Sequence, residues 1–331
     1  MLYDASASNT LFADGRPPTE DLPAILAGAR EQLGLNGVRP WRLLSGRRKM
    51  GKTLFEIEES TSAGPRRLIG KICKPERTKV LYEALDALRR HGFRPPARHT
   101  VTEPVAILPE QGFILQERAP GKQGRPMLLE DGAAATKASI DSAEWLATLH
   151  ATPVLADPGV DKSDAIAGWA RELSDVLHGD RVLIARIEDA VLREIAEPVN
   201  HTVPTHGDFH PLNIFIDGEE RITGIDLDKF ALREPEFDIG NFIAQTACFS
   251  YFDTGAMETT LEARRSFLKR YEETSGRAIR VRRAALYVAT TLLKNLHFEL
   301  VLLKTGRTER ASPWLSAAAE AILNENLDLT R

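Results

Sequence analysis

Asp208 and Asn213 in HGDFHPLNIFI (206–216) and Asp226 in GIDLDKF (224–230) have the types and spacing that phosphoryl transfer needs. That reaction asks for bridged phosphates and an acceptor hydroxyl held in line, and for little covalent chemistry from the protein. Asp208, in a loop ahead of a strand, is suited to accept the hydroxyl proton or to orient that oxygen. Asn213 supplies a neutral oxygen and Asp226 a charged one, a donor pair suited to Mg2+, which prefers oxygen and keeps part of its water shell. The segment between them, NIFIDGEERITGID, reads as a short hairpin turning on Asp217-Gly218, which brings its two ends together.

Each of these residues also has an ordinary reading. Asp and Asn in a turn are commonly turn formers, and it is their combination with Asp226 that favours catalysis. His206 and His210 without a third ligand make a poor zinc site; His206 reads as a brace for the loop. Asp228 reads as a solvated or structural carboxylate. A second phosphate motif, GRRKMGKT (46–53), fits G-x-x-x-x-G-K-[ST] letter for letter. A P-loop must open a helix after its Thr, whereas LFEIEES alternates Phe55 and Ile57 with Glu56 and Glu58, the period of a strand. The stretch is therefore expected to be a hairpin, WRLLS and LFEIEES joined by a basic turn in which Gly46 and Gly51 let the backbone approach phosphate. Lys52 and Thr53 lose their P-loop roles. Arg47, Arg48, Lys49 and Lys52 remain candidates to approach phosphate, although an exposed turn is charged by default.

Periodicity supplies the elements that carry these residues. A helix is expected from Thr19 to Leu33, stopped by Gly34. RRLIGKICKP reads as a strand stopped by Pro75. In ERTKVLYEALDALRRHGF, Leu81, Ala84, Leu85 and Leu88 follow helical spacing. VAILPEQGFILQER reads as two strands around Pro-Glu-Gln-Gly. Three strands, a helix and two strands make a small α+β unit. From Ala119 helices dominate, with apolar stripes at Trp145, Leu146 and Leu149, at Ile166, Trp169, Ala170, Leu173 and Leu177, and at Leu183, Ile187, Val191 and Ile195. Leu286 to Leu303 is interrupted by Lys294, Asn295, His297 and Glu299, so it reads as a buried helix and not a membrane span.

His206-x-Asp208-x-x-x-x-Asn213 has the internal spacing of the protein-kinase catalytic loop. With GIDLDKF, with WLATLHAT ahead of the loop and with EPEFDIGNF behind it, the chain resembles the aminoglycoside phosphotransferase family, related to choline kinases. The likeness covers residues 38–300, with 206–240 its specific part. It implies an α+β, bilobal, protein-kinase-like fold, with a small N-terminal antiparallel-sheet lobe and a larger, mainly helical C-terminal lobe. The leader and first helix would occupy 1–37, the nucleotide-binding lobe 38–118, and the lobe with catalytic loop and acceptor site 119–331. It implies Asp208 as the catalytic aspartate, Asn213 and Asp226 on magnesium, and Asp238 as a support for the loop. A kinase-like lobe also calls for a third-strand lysine and a glutamate on the next helix. Lys71 in LIGKI takes the lysine's place, with Lys74, beside Pro75, as its rival. Glu83 is the expected partner, an ion pair with Lys79 on the helix surface being the alternative. The backbone of Glu117 to Ala119, after FILQE, would form the hinge that bonds adenine. The basic turn departs from the family in having no G-x-G pair, which leaves its phosphate contacts open.

With 43 Lys+Arg against 47 Asp+Glu, the net charge of −4 gives no reason to expect nucleic acid or an anionic membrane as partner. Two cysteines, Cys73 and Cys248, support neither a disulfide framework nor a thiolate metal cluster and fit a reducing cytoplasm. The first residues, MLYDASASNTLFADGRPP, lack the basic and apolar runs of a signal peptide and read as a loose leader. The expected activity is ATP- or GTP-dependent, Mg2+-requiring phosphotransfer to a hydroxyl of a sugar, amino alcohol or aminoglycoside-like molecule. Between 261 and 310 there are 12 Lys+Arg against 5 Asp+Glu, no obvious trap for a polycation. Phe249, Tyr251 and Phe252 are candidates for a stacking wall, with core packing the commoner role. The chain between Asp226 and Asp238 is too short for a protein-kinase activation segment. An inactive nucleotide-binding scaffold would ordinarily lack one of Lys71, Asp208, Asn213 or Asp226.

Overall fold

The computed structural model describes residues 22–34, 41–49, 52–129 and 132–329, with backbone only at 47–49. The chain divides into two compact units: one runs through Gly121 and includes Phe215–Phe230, the other comprises Lys122–Ile214 and the chain from Ala231 onward. The expected leader and Thr19 lie outside the described residues.

The first unit opens with α1 (Leu22–Gln32), which Gly34 ends in a left-handed conformation, φ 66°. Then come β1 (Arg42–Lys49), β2 (Lys52–Thr61) and β3 (Gly64–Ile72), α2 (Pro75–Arg90), β4 (His99–Val101), β5 (Pro104–Leu108) and β6 (Phe113–Glu117). The antiparallel sheet has the order β1-β2-β3-β6-β5. Alternation in β2 buries Phe55 and Ile57 on one face, where they meet Leu22, Ile25 and Ala29 of α1 and Leu68, Phe113 and Leu115. Each such fully buried side chain contributes roughly 1.5–3 kcal/mol. Gly70 is required opposite Phe55, because a Cβ there would lie 2.2 Å from the phenyl ring.

The described residues of the P-loop pattern lie in strands, 46–49 in β1 and 52–53 in β2. β1 continues to Lys49 and β2 begins at Lys52, its direct partner, so the strands run further into the pattern than expected and Gly46 pairs with Phe55 inside the ladder. Gly51 lies outside the described residues.

The second unit begins with β7 (Lys122–Gln123), α3 (Gly124–Leu128), α4 (Gly132–Ala151), α5 (Ser163–Val176), α6 (Arg181–Ile195) and β8 (Val203–Thr205). The chain then returns to the first unit through β9 (Ile214–Ile216) and β10 (Ile222–Gly224), and finishes with β11 (Ala231–Arg233), α7 (Glu236–Thr254), α8 (Leu261–Ser275), α9 (Val281–His297) and α10 (Ala311–Asn324). The region from 119 onward, expected as one lobe, thus lends Phe215–Phe230 to the first unit. The cause is β4, too short to show in the sequence. It takes β10 as a parallel neighbour, His99 beside Ile222, and Thr100 and Thr223 join hydroxyls at 2.8 Å.

In the helical unit the expected stripes are buried, led by Trp145, Leu146 and Leu149 and by Leu286, Ala289, Leu293 and Leu296. Leu303 is 45% exposed, because α9 ends at His297 and a π-turn over Phe298–Leu302 rotates the following residues out of register. Among the described residues no helix is long and apolar enough to cross a membrane.

Candidate active site

In the helical unit, the loop after β8 is held by buried groups on both sides of Asp208. Phe209 is fully buried, stacked on Trp145 at 5.6 Å and on Phe242 at 5.6 Å, and its carbonyl accepts from Asn241 Nδ2 at 2.8 Å. His206, also fully buried, sets its ring edge-on to Trp145 at 6.0 Å, and its Nδ1 accepts from the Asp208 amide at 3.3 Å. It braces the loop, as its sequence position suggested. Asp238, on the first turn of α7 and fully buried, accepts from the amides of His206 at 2.6 Å and Gly207 at 3.0 Å and faces His150 Nε2 at 3.3 Å. Gly207 adopts φ 82°, a conformation that disfavours residues with a Cβ. Asn213 belongs to the same constellation: its Nδ2 donates to the Asp208 carbonyl at 3.0 Å, which fixes the amide plane and leaves Oδ1 to accept or to coordinate.

In the first unit, Lys71 and Asp226 meet although 155 positions separate them. Lys71 is 3% exposed; its Nζ bonds Asp226 Oδ1 and lies 3.4 Å from Asp228 Oδ2. Burial alone would lower the lysine pKa, but the charges of Asp226 and Asp228 and the hydrogen bond to Asp226 outweigh it and hold the pKa above its ordinary value. Lys71 is therefore a cation at any working pH. Asp226 has φ 64°, uncommon for a residue other than glycine, and its side chain stays 32% exposed.

Two further residues enter this cluster. Lys52 Nζ lies 2.6 Å from Asp228 Oδ2 and 3.8 Å from Asp226 Oδ2. Asp228, read from sequence as a solvated or structural carboxylate, has a side chain only 1% exposed between two lysines. Its Oδ1 is buried and has no hydrogen-bond partner among the described residues. Its position two residues after Asp226 was the only signal in the sequence.

Glu83 requires a correction. It is not paired with Lys71; its side chain is 61% exposed and pairs with Lys79 at 3.8 Å along the outer face of α2. The buried stripe Leu81, Ala84, Leu85 and Leu88 turns that glutamate to solvent, and Asp226 and Asp228 neutralise Lys71 instead.

At the expected hinge, the Glu117 side chain is engaged by Arg66 at 2.7 Å. The Glu117 amide donates to Glu103 and the Arg118 amide to Arg67, whereas the Ala119 amide makes no backbone hydrogen bond among the described residues. Phe249 is covered by Arg125, whose Cζ lies 4.7 Å from the ring centre, and Phe252 by Arg310 at 4.2 Å. Both rings are thus engaged within the protein.

The donor set fits a hard divalent cation. Within the first unit, Asp226 is a partly exposed carboxylate and Asp228 has an unsatisfied buried oxygen, both hard donors. Among the described residues no three His, Cys, Asp or Glu side chains form a metal cluster.

The architecture is that of the protein-kinase-like phosphotransferases of small molecules. A choline/ethanolamine kinase family protein from Mesorhizobium loti superposes with a TM-score of 0.58 at 15% identity, covering 93% of this chain and 97% of that one. A thermostable mutant aminoglycoside phosphotransferase in complex with ADP and hygromycin B gives 0.56 at 18% identity, covering 92% and 99%. Amicoumacin kinase with AMP-PNP and Ca2+ gives 0.58 at 16% identity, covering 92% and 96%. No curated protein matches in sequence. Residues 59–285, more than half of the chain, match the Phosphotransferase enzyme family, and the protein belongs to that family of small-molecule kinases.

Proposed function

We propose that this protein is an ATP-dependent O-phosphotransferase whose acceptor is a hydroxyl of a small molecule, with Asp208 as its catalytic base. The observation that carries the reading is the buried third-strand Lys71 meeting Asp226, the two residue types that a kinase-like nucleotide site uses for phosphate and for metal. Adenine nucleotides in the related structures favour ATP over GTP as donor.

In this reading the Ala119 amide and the Glu117 carbonyl hold the adenine edge, and Lys71 binds phosphate oxygens. Asp226 and Asn213 would hold Mg2+, which when bound neutralises charge building on the phosphates. Asp208 accepts the proton of the acceptor hydroxyl as that oxygen attacks the γ-phosphorus and the bond to the ADP oxygen breaks. Its loop is pinned by Asp238, Phe209 and Asn241, so little orientational freedom is lost on reaction.

A panel of amino alcohols, sugars and aminoglycosides, scored by ADP release, tests the reading. With a productive acceptor, Asp208→Ala should lower turnover at least about 100-fold, the low end for a general base, while ATP affinity stays within a factor of about two. Turnover near wild type in that variant would remove Asp208 as the base.

A further inference from the structure

We propose that Lys52, the first residue of β2, is a second phosphate-binding lysine of the nucleotide site, stored against Asp228 until nucleotide arrives. The proposal rests on the phosphotransferase reading and extends it to a residue outside the kinase-like set of Lys71, Asp208, Asn213 and Asp226.

Register places the two lysines together. Leu54 is the direct partner of Lys71, and Lys52 lies two residues before Leu54 on the same face of β2, opposite the face that buries Phe55 and Ile57. Lys52 and Lys71 are therefore diagonal neighbours on one sheet face. Two ammonium groups so placed repel unless anions stand between them, and Asp228 does so, at 2.6 Å from Lys52 and 3.4 Å from Lys71. Asp226 completes a set of two cations and two anions with no net charge. The Lys52 side chain is 15% exposed, far less than a lysine at the end of a surface hairpin would be.

Such a set is poised for exchange. A cation taken up by the carboxylates weakens their hold on both lysines, and a triphosphate offers the lysines new oxygen acceptors. The basic hairpin lacks the paired glycines with which a kinase loop wraps phosphate, and Lys52 supplies a side chain where that loop would supply amides. A lysine in GRRKMGKT would then contact phosphate after all, from a strand and not from a P-loop.

The competing explanation is that Lys52 only neutralises buried Asp228. Calorimetric titration of the full chain with ATP, ADP and AMP in the presence of Mg2+ separates the two, using Lys52→Met, Asp228→Asn and the double variant. In the double variant no buried charge is orphaned, so folding is protected. Lys52→Met should weaken ATP binding about tenfold or more, the scale of a lost charged hydrogen bond, ADP less, and AMP within about twofold. The double variant should bind ATP about tenfold more weakly than Asp228→Asn. Unchanged ATP affinity in Lys52→Met, or equal affinity of the double variant and Asp228→Asn, would overturn the assignment. No binding of any of the three nucleotides by the wild type would overturn the proposed function together with it. Nucleotide binding with a silent Lys52 would leave that function standing and remove Lys52 alone.

Discussion

Asp238 holds the backbone of the loop that carries Asp208. Its two oxygens accept separately from the His206 and Gly207 amides, and Oδ2 also faces His150. In Asp238→Asn one oxygen becomes an NH2 group that meets a donor, so a buried amide loses its acceptor and the loop shifts. Displacement by about 1 Å costs on the order of 100-fold in rate. The expected outcome is kcat down by about that factor with the KM for ATP unchanged, measured by steady-state kinetics at saturating acceptor. A parallel rise in nucleotide KM would mean that the first unit is disturbed as well. Cys248 is inert by the same kind of local reasoning: burial pushes its thiol up to about 12, far from a nucleophilic thiolate.

The helices of the second unit are joined by ion pairs that account for much of its basic run. Arg265 bonds Asp328 at 2.6 Å, Arg270 bonds Glu144, Arg282 bonds Glu194, and Arg310 bonds Glu299 at 2.9 Å. Glu234, just before α7, has a side chain 1% exposed and accepts from Arg280 and Tyr287 at 2.7 Å each and from Arg283 at 3.0 Å. Burial would raise its pKa, but the hydrogen bonds from Arg283 and Tyr287 and the arginine charges outweigh burial and hold it below the ordinary glutamate value. A carboxylate depressed in this way contributes stability above its unfolded value near 4.5 that is lost as pH falls through the lower folded pKa. Glu234→Gln removes the closer of the two carboxylates that neutralise buried Arg283, leaving Glu194 Oε1 at 3.3 Å, and should cost about 3 kcal/mol at pH 7. Urea unfolding should also show a shallower loss of stability below pH 4.5 in the variant than in the wild type. Identical slopes would mean that Glu234 is not the group responsible.

For the whole molecule, nucleotide binding and folding are linked. A ligand at 100 times its Kd that binds only the native state adds about 2.7 kcal/mol. Mg·AMP-PNP should therefore raise the unfolding midpoint by several degrees at that concentration. Lys71→Ala should abolish most of that shift, whatever its own midpoint, because the side chain proposed to hold phosphate is gone. A shift as large in the variant as in the wild type, read by differential scanning calorimetry, would detach Lys71 from the nucleotide.

The candidates His206, Asp208, Asn213 and Asp226 stood out in the sequence because their spacing is local. Phosphoryl transfer constrains which types can stand a few positions apart, and strand and helix periods show up in hydrophobicity alone. By the same logic the strand period after Thr53 was enough to reject the P-loop. Pairings that depend on what packs across a sheet were not legible. Whether Lys71 turns to Glu83 or to Asp226 depends on which face α2 buries and on the twin carboxylates brought in by β10. Lys52 and Asp228 look like ordinary surface charges until strand register sets one beside the other. Short β4 carries no pattern of its own, yet it draws Phe215–Phe230 into the first unit. Chain order encodes local geometry, but charge pairing between distant segments is a Coulombic outcome of distances that exist only once the sheet has formed.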